Sequence, residues 1–347
     1  MLAEKFFQAI DEICKLKEIK KEYMLKAIEA GLMSAYKKNL NGSEINAEVI
    51  IDEANKVIGL IEKKHVVERV KDPINEINFK QALKIDPTVK VGDILKVEVT
   101  SKEFGRVAAE VCKQVVTQKL RDAEIETIYE EFILKEHEAI LGEISKISPT
   151  RIYVNLRKIE GILPIEEQIR NEKYIIGAKH FMYIFSVQKR QKEPMILLSR
   201  THPGLLKKLM ELEIPELKQG LIEIKGIVRE PGIRAKVTVI SNDEKIDPVG
   251  TCIGAKGTRI NSVGSHLNNE KIDVIRWSSN PILFIANSLS PAKIAPENIV
   301  LDEERRIAMI EIKQDQFSLA IGKQGYNVKL AARLTGFKID ISTKEEK

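Results

Sequence analysis

Ile253-Gly254-Ala255-Lys256-Gly257-Thr258-Arg259-Ile260 recurs further along the chain as Ile321-Gly322-Lys323-Gln324-Gly325-Tyr326-Asn327-Val328. Lys271-Ile272-Asp273-Val274 recurs as Lys338-Ile339-Asp340-Ile341 at an offset shorter by a single position, and Leu267 and Leu334 share that shorter offset. A repeat of this kind means one supersecondary unit used twice, and it restricts the C-terminal part of the chain to folds that can be stacked in tandem. The pattern around each Gly-x-x-Gly is the same. A helix-compatible stretch ending in Ile leads in, an amphipathic stretch follows, and Lys-Ile-Asp closes each copy at nearly the same spacing. Strands are predicted upstream at 221–228 with 235–240, and at 299–301 with 307–312. Helices are predicted before them at 203–212 and 281–289. The order α-β-β-α-α-β therefore occurs twice. With 19 Gly in the chain, about one i, i+3 glycine pair is expected by chance, so the shared context identifies these two pairs and their number does not.

That order resembles the bacterial, type II form of the KH domain, in which the Gly-x-x-Gly loop clamps about four nucleotides. The chemistry needs the glycines. The first permits a tight helix-to-helix turn, and neither carries a Cβ that would hold an RNA backbone away. The next helix starts at the loop, so its free N–H groups face the phosphates. The candidate RNA-binding residues are Gly254, Ala255, Lys256 and Gly257 in one loop and Gly322, Lys323, Gln324 and Gly325 in the other. Arg259 would reach the same strand. A nucleotide-binding P-loop is excluded: position 317 is Phe, position 324 is Gln, and Ala255 precedes Lys256.

The stretch before the repeat has the rhythm of a small β-barrel. Strands are predicted at 139–147, 151–156, 161–163, 181–187 and 195–198, with a turn at Ser148-Pro149-Thr150 and a short polar helix over 166–171. Five short strands with one helical insertion is the layout of an OB-fold. Gly142, Glu160-Gly161-Ile162-Leu163-Pro164, Gly177 and Leu198-Ser199-Arg200 have the spacing of an S1 domain, which this segment resembles. Such barrels stack bases on exposed aromatics beside cations. Tyr153, Phe181 and Tyr183 lie on predicted strands near Arg151, Arg157 and Lys179. Each ring is either a base platform or barrel core, because alternation does not say which face is wet.

The N-terminal segment predicts two helices, one on Leu2, Phe6, Ile10 and Ile13 and one on Leu25, Ile28, Leu32 and Ala35, closed by a turn at Asn41-Gly42. Strands follow at 47–51, 57–61 and 94–99. One long helix runs to about Phe132, since 106–141 holds neither Gly nor Pro. Charge divides at this point. Residues 1–134 hold 22 Lys/Arg and 24 Asp/Glu, net −2, and the remainder holds 34 and 27, net +7. A polyanion partner for the C-terminal part fits this split.

Other functional classes are excluded. The longest apolar runs fall short of the roughly 18–20 residues a membrane helix needs. Met1-Leu2-Ala3-Glu4-Lys5 is charged where a signal peptide would be apolar. Cys14, Cys112 and Cys252 are far apart and the five His are scattered, which argues for the cytoplasm and against a disulfide framework or a zinc site. The chain contains no Gly-x-Ser-x-Gly, no His-Glu-x-x-His and no paired-carboxylate motif. Asp302-Glu303-Glu304 reads as a solvated turn. A non-enzymatic protein without a cofactor is expected.

An S1-type barrel followed by two KH domains, behind a long connecting helix, resembles the NusA family of bacterial transcription termination/antitermination factors. The resemblance rests on 229–237 (REPGIRAKV), 247–254 (DPVGTCIG), 320–328 (AIGKQGYNV) and 111–121 (VCKQVVTQKLR). It implies an α+β multidomain chain: an α/β N-terminal domain with its connector helix at 1–132, an S1-type OB barrel at 133–199, and type II KH domains at 200–277 and 278–347. It implies that the first domain binds core RNA polymerase near the RNA exit channel and that the others hold nascent single-stranded RNA. The factor would then modulate pausing, intrinsic termination and, with other Nus-type factors, antitermination. Arg234, Lys236, Asn327 and Tyr153 join the candidate RNA contacts on this basis. A cytoplasmic monomer without membrane contact is expected. Acidic C-terminal repeats found in some longer relatives have no counterpart before Lys347, so RNA binding without an activating partner is expected. A phosphorolytic exoribonuclease also carries KH and S1 domains, but in the opposite order and behind a catalytic core too large for the segment that precedes the barrel. A ribosome-associated KH protein is the other rival.

Overall fold

A computed structural model describes residues 7–8, 10–12, 14–15, 20–39, 45–52, 57–99, 102–190 and 193–343, with the side chains of 38, 39, 102–109 and 112 outside that description. The expectations at Leu2, Phe6, Ile13, Asn41-Gly42 and the last four residues lie outside the described residues. The chain divides into two compact units, Met1–Thr127 and Ile128–Lys347.

In the first unit, helix α1 (Lys21–Asn39) buries Met24, Ile28 and Leu32, an i, i+4, i+8 stripe, against a sheet. Strands β1 (Ala47–Asp52), β2 (Val57–Val67), β3 (Glu76–Asn78) and β4 (Ile94–Glu98) form that sheet. The long β2 is its axis: β1 and β4 pair with it antiparallel, and β3 pairs with its far end in parallel. Helix α2 (Phe79–Ile85) starts at Asn78, whose side chain accepts from the Lys80 N–H at 2.9 Å. The sequence predicts neither β3 nor α2. Among the described residues their buried core is small, Val66, Ala82, Val89 and Leu95 with Ile77, Phe79 and Val97 packed against it, and it leaves no periodic signal. Helix α3 (Lys102–Ile133) is the expected long helix.

In the second unit, β5 (Ala139–Ile147), β6 (Arg151–Asn155), β7 (Glu160–Pro164), β8 (Lys179–Gln188) and β9 (Met195–Ser199) close into a barrel in the order β5-β6-β7-β9-β8. Ile144, Ile152, Val154, Leu163, Met182, Ile184 and Leu198 fill it, together with Phe132 from the end of α3. The polar helix expected over 166–171 is a correction. Only Ile165–Glu167 makes a 3-10 turn. Ile169 is 2% exposed, and its N–H donates to Tyr174 Oη at 3.0 Å. Burying that side chain draws the segment out of helical geometry.

The first KH-type fold, KH1, follows as α4 (Pro203–Glu213), α5 (Pro215–Lys218), β10 (Ile222–Glu230), β11 (Arg234–Ser241), α6 (Pro248–Ile253), α7 (Thr258–Ser265) and β12 (Lys271–Arg276). KH2 repeats it with α8 (Pro281–Ser288), β13 (Ile299–Asp302), β14 (Ile307–Ile312), α9 (Gln314–Ile321), α10 (Tyr326–Thr335) and β15 (Lys338–Thr343). In both sheets the first two strands are antiparallel and the last joins the second in parallel. The registers superpose the copies: Ala235 pairs with Ile272 and Lys236 with Asp273, as Ala308 pairs with Ile339 and Met309 with Asp340.

Candidate nucleic-acid interface

The two Gly-x-x-Gly loops have one backbone. Gly254 sits at φ 75°, ψ 172° and Gly322 at φ 73°, ψ 172°, a region open essentially to glycine alone. The third loop residue is left-handed in each although it carries a side chain: Lys256 at φ 52°, ψ 27° and Gln324 at φ 54°, ψ 23°. Gly257 and Gly325 are left-handed as well and start α7 and α10, and neither helix has a side-chain cap. Ala255, Lys256, Lys323 and Gln324 are all exposed. Each loop thus presents two side chains, one of them cationic, at the start of a helix whose dipole favours anions.

The residue five places after the first glycine ties the loop down. Arg259 Nη1 donates to Thr251 O (3.0 Å) and to both Glu216 carboxylate oxygens (3.1 Å each). Asn327, its counterpart, is fully buried and donates from Nδ2 to Leu289 O (3.0 Å), Leu319 O (3.2 Å) and Ala320 O (3.0 Å). Thr251 and Leu319 are equivalent, so both side chains bind the carbonyl end of the helix that enters the loop. Asn327 as a direct RNA contact is therefore a correction: its role is to shape the loop.

Lys236 is a second correction. It is fully buried, donating to Asp273 Oδ2 (3.3 Å) and to Ser290 O of KH2 (3.0 Å). Burial, only partly offset by the Asp273 charge, pulls its ammonium pKa down to about 8. Arg234 shares the same carboxylate at 2.6 Å and is 13% exposed. Lys236 thereby joins KH1 to KH2, and Arg234 shares its Asp273 partner within KH1.

The barrel aromatics divide. Tyr153 alternates with the interior residues Ile152 and Val154, so it faces outward, and Lys146 Nζ lies 5.7 Å from its ring centroid. Phe181 and Tyr183 pack on KH1, a placement that neither sequence alternative covers. Tyr183 stacks on His202 with centroids 4.4 Å apart, and Phe181 meets His266 edge-on at 5.0 Å. Buried arginines complete that joint. Arg200 donates to Phe181 O (2.7 Å), His266 O (3.0 Å) and the Glu172 carboxylate. Arg229 pairs with Glu270 through Nε (2.8 Å) and Nη2 (2.7 Å), and reaches His202 O at 2.8 Å. Burial, reinforced by the Arg200 charge, lowers the His180 pKa beside it.

Two grooves adjoin these elements. One of about 730 Å³ lies between KH1 and KH2, lined by Val249, Arg276, Asn287 and Lys293 among others. One of about 630 Å³ lies between barrel and KH1, beside Lys173, Lys179, His180 and His266. Two cations of the first groove belong to no sequence motif: Arg276, which ends β12 and pairs with Asp247 at 2.6 Å, and Lys293, between α8 and β13. Among the described residues there is no cluster of three or more His, Cys, Asp or Glu able to hold a metal. Among them, no helix is long and apolar enough to cross a membrane.

Family models match three stretches of the chain: the NusA N-terminal domain over 5–126, the NusA-like first KH domain over 200–277 and the NusA-like second KH domain over 281–347. The transcription termination/antitermination protein NusA of Bacillus subtilis is 43% identical over 345 residues, covering 99% of this chain and 92% of that protein. Its counterpart in Halalkalibacterium halodurans is 44% identical, covering 98% and 88%. The solution structure of the N-terminal domain of NUSA from B. subtilis matches at 42% identity, covering 35% of this chain and 98% of that one, with a TM-score of 0.30. With an N-terminal domain, a closed barrel and tandem KH folds in one order, the chain belongs to the NusA family of transcription termination/antitermination proteins.

Proposed function

We propose that this chain is a non-catalytic elongation factor that binds core RNA polymerase through residues 1–132 and nascent single-stranded RNA through its barrel and KH domains. In this reading it works as a cytoplasmic monomer alongside other Nus-type factors, adjusting pausing, intrinsic termination and antitermination. The observation that carries the reading is the pair of Gly-x-x-Gly loops with matching backbones, exposed middle residues and a lysine in each. Tethering one domain to polymerase raises the effective concentration of emerging RNA at the others, so three weak modules together hold one strand. Tyr153 with Lys146 serves as a base platform on the barrel. Domain limits of 133–199, 200–277 and 278–347 belong to this reading.

The test is an elongation complex assembled with photoreactive nascent RNA and the full chain. Cross-links are expected in peptides containing Ala255-Lys256 and Lys323-Gln324, with residues 1–132 alone retained by polymerase in the absence of RNA. Cross-links that avoid both loops, or polymerase retention that needs residues 133–347, would overturn it.

A further inference from the structure

KH1 and KH2 differ on one face. In KH1, the side of the sheet turned away from its own helices is covered by KH2. Lys236 and Thr238, which point to that side from β11, are 0% and 1% exposed. Helix α10 lies across β10 and β11 there, with Leu334 Cδ1 only 3.4 Å from where a Cβ on Gly226 would stand. Arg333 of the same helix donates to Arg229 O at 3.3 Å and stands 3.9 Å from Glu230. The seated element is thus an amphipathic helix with an apolar contact and a basic one.

Among the described residues, nothing covers the matching face of KH2. By strand register Met309 stands where Lys236 stands, Glu311 where Thr238 stands, and Asp340 where Asp273 stands. Val300 pairs with Met309 as Val228 pairs with Lys236. Val300 is 62% exposed and Met309 50%. These two side chains floor a groove of about 360 Å³ whose charged lining residues are Glu297, Glu311 and Asp340. Lys338, beside the groove, is held by Asp340 at 3.0 Å.

From this equivalence we infer that the open face of the KH2 sheet is a docking surface for a basic amphipathic helix of a protein partner. Apolar side chains of that helix seat on Val300 and Met309, and its Lys or Arg side chains pair with Glu297, Glu311 and Asp340. Even with Asp340 paired to Lys338, the groove keeps a net negative lining from Glu297 and Glu311 that repels a nucleic-acid backbone, so this face is not continuous with an RNA surface. A second copy of the chain cannot supply the helix through its own α10, because that helix is already seated on KH1. The apolar floor supplies affinity, and the acidic rim selects charge and orientation.

The test uses the full chain with methyl-labelled methionine and three probes: a synthetic helical peptide with leucines on one face and Lys/Arg beside them, the same peptide with Glu at the basic positions, and a single-stranded RNA oligonucleotide. Met309 is one of seven methionines, and its methyl signal is assigned through Met309→Leu. The expected result is a saturable shift of the Met309 signal with the basic peptide only. The double variant Glu311→Lys/Asp340→Lys, altered only at exposed positions, should bind that peptide about tenfold more weakly and keep its RNA affinity. An unmoved Met309 signal, an equal shift with the acidic peptide, a shift caused by RNA, or one that grows with protein concentration alone would each overturn the inference.

Discussion

KH1 and KH2 share an element order, a strand register and a loop backbone, yet they are stabilised differently. KH1 buries ion pairs where KH2 buries hydrocarbon. Arg229, paired in the ladder with Ala235, corresponds to Leu301, paired with Ala308. Glu270, just before Lys271, corresponds to Phe337, just before Lys338. Leu301 and Phe337 pack on the KH2 core, whereas Arg229 and Glu270 are 4% and 3% exposed and bound to each other. KH1 lies between two neighbours, and Arg229 also bonds the carbonyls of Thr201 and His202 that lead in from the barrel. The comparison teaches that the fold needs only an inward-facing pair at these positions. A charged pair is found where the domain must also be joined to something else.

The sharpest way to break this comparison is to move a KH2 residue into KH1. Arg229→Leu alone strands the Glu270 carboxylate in the interior and should cost about 3–5 kcal/mol of unfolding free energy, read by denaturant titration. Adding Glu270→Phe should recover most of that loss, because a packed apolar pair is usually as good as a buried ion pair. No recovery would mean that the joint to Thr201 and His202, more than the charge balance, holds KH1 together.

A smaller effect separates Lys236 from its counterpart Met309. The Lys236 pKa lies near 8 in the folded chain against an ordinary value of 10.5. Between those values the unfolded chain binds more protons, so this group makes stability rise with pH across that window, by on the order of 2–3 kcal/mol. The difference between the wild-type chain and Lys236→Met, followed by thermal unfolding from pH 7 to pH 10.5, should show that rise. A flat difference would mean that Lys236 is solvated.

Smallest is the contrast between the loop glycines. Alanine at 254 or 322 should cost about 1–3 kcal/mol for its backbone conformation. Position 322 should be the worse, since the new Cβ would lie 2.6 Å from Asn327 Cβ, an atom held by the backbone. At position 254 it would meet Arg259 Cγ at 2.9 Å and Cβ at 3.1 Å, a less severe approach. Equal costs would show that strain alone governs both sites.

Much of this architecture was legible in the order of the residues. The Gly-x-x-Gly pairs, the flanking helices, the barrel strands and the long helix all leave local signals, because each depends on turn chemistry or periodicity within one segment. What one segment cannot show is whether an outward face stays outward. Lys236 alternates with Ala235 and Val237 and reads as solvent-facing, until KH2 closes over it. Phe181 and Tyr183 point off the barrel and read as base platforms or as core, but α4 and α7 of KH1 lie against that side. Asn327 follows the loop and reads as an RNA contact, while its three carbonyl partners come from residues 289, 319 and 320. The faces hidden between domains are where reading segment by segment fails.

The central claim is that both loops clamp one RNA strand, and it is tested most directly by replacing Ala255, Lys256, Lys323 and Gln324 together with Asp in the full chain. These four side chains are exposed, so circular dichroism should be unchanged. Single-stranded RNA affinity should then fall at least tenfold, about 1.4 kcal/mol. The slope of log affinity against log salt, about −0.7 per phosphate neutralised on single strands, should become shallower. A folded variant that binds RNA with the wild-type affinity and slope would contradict the account.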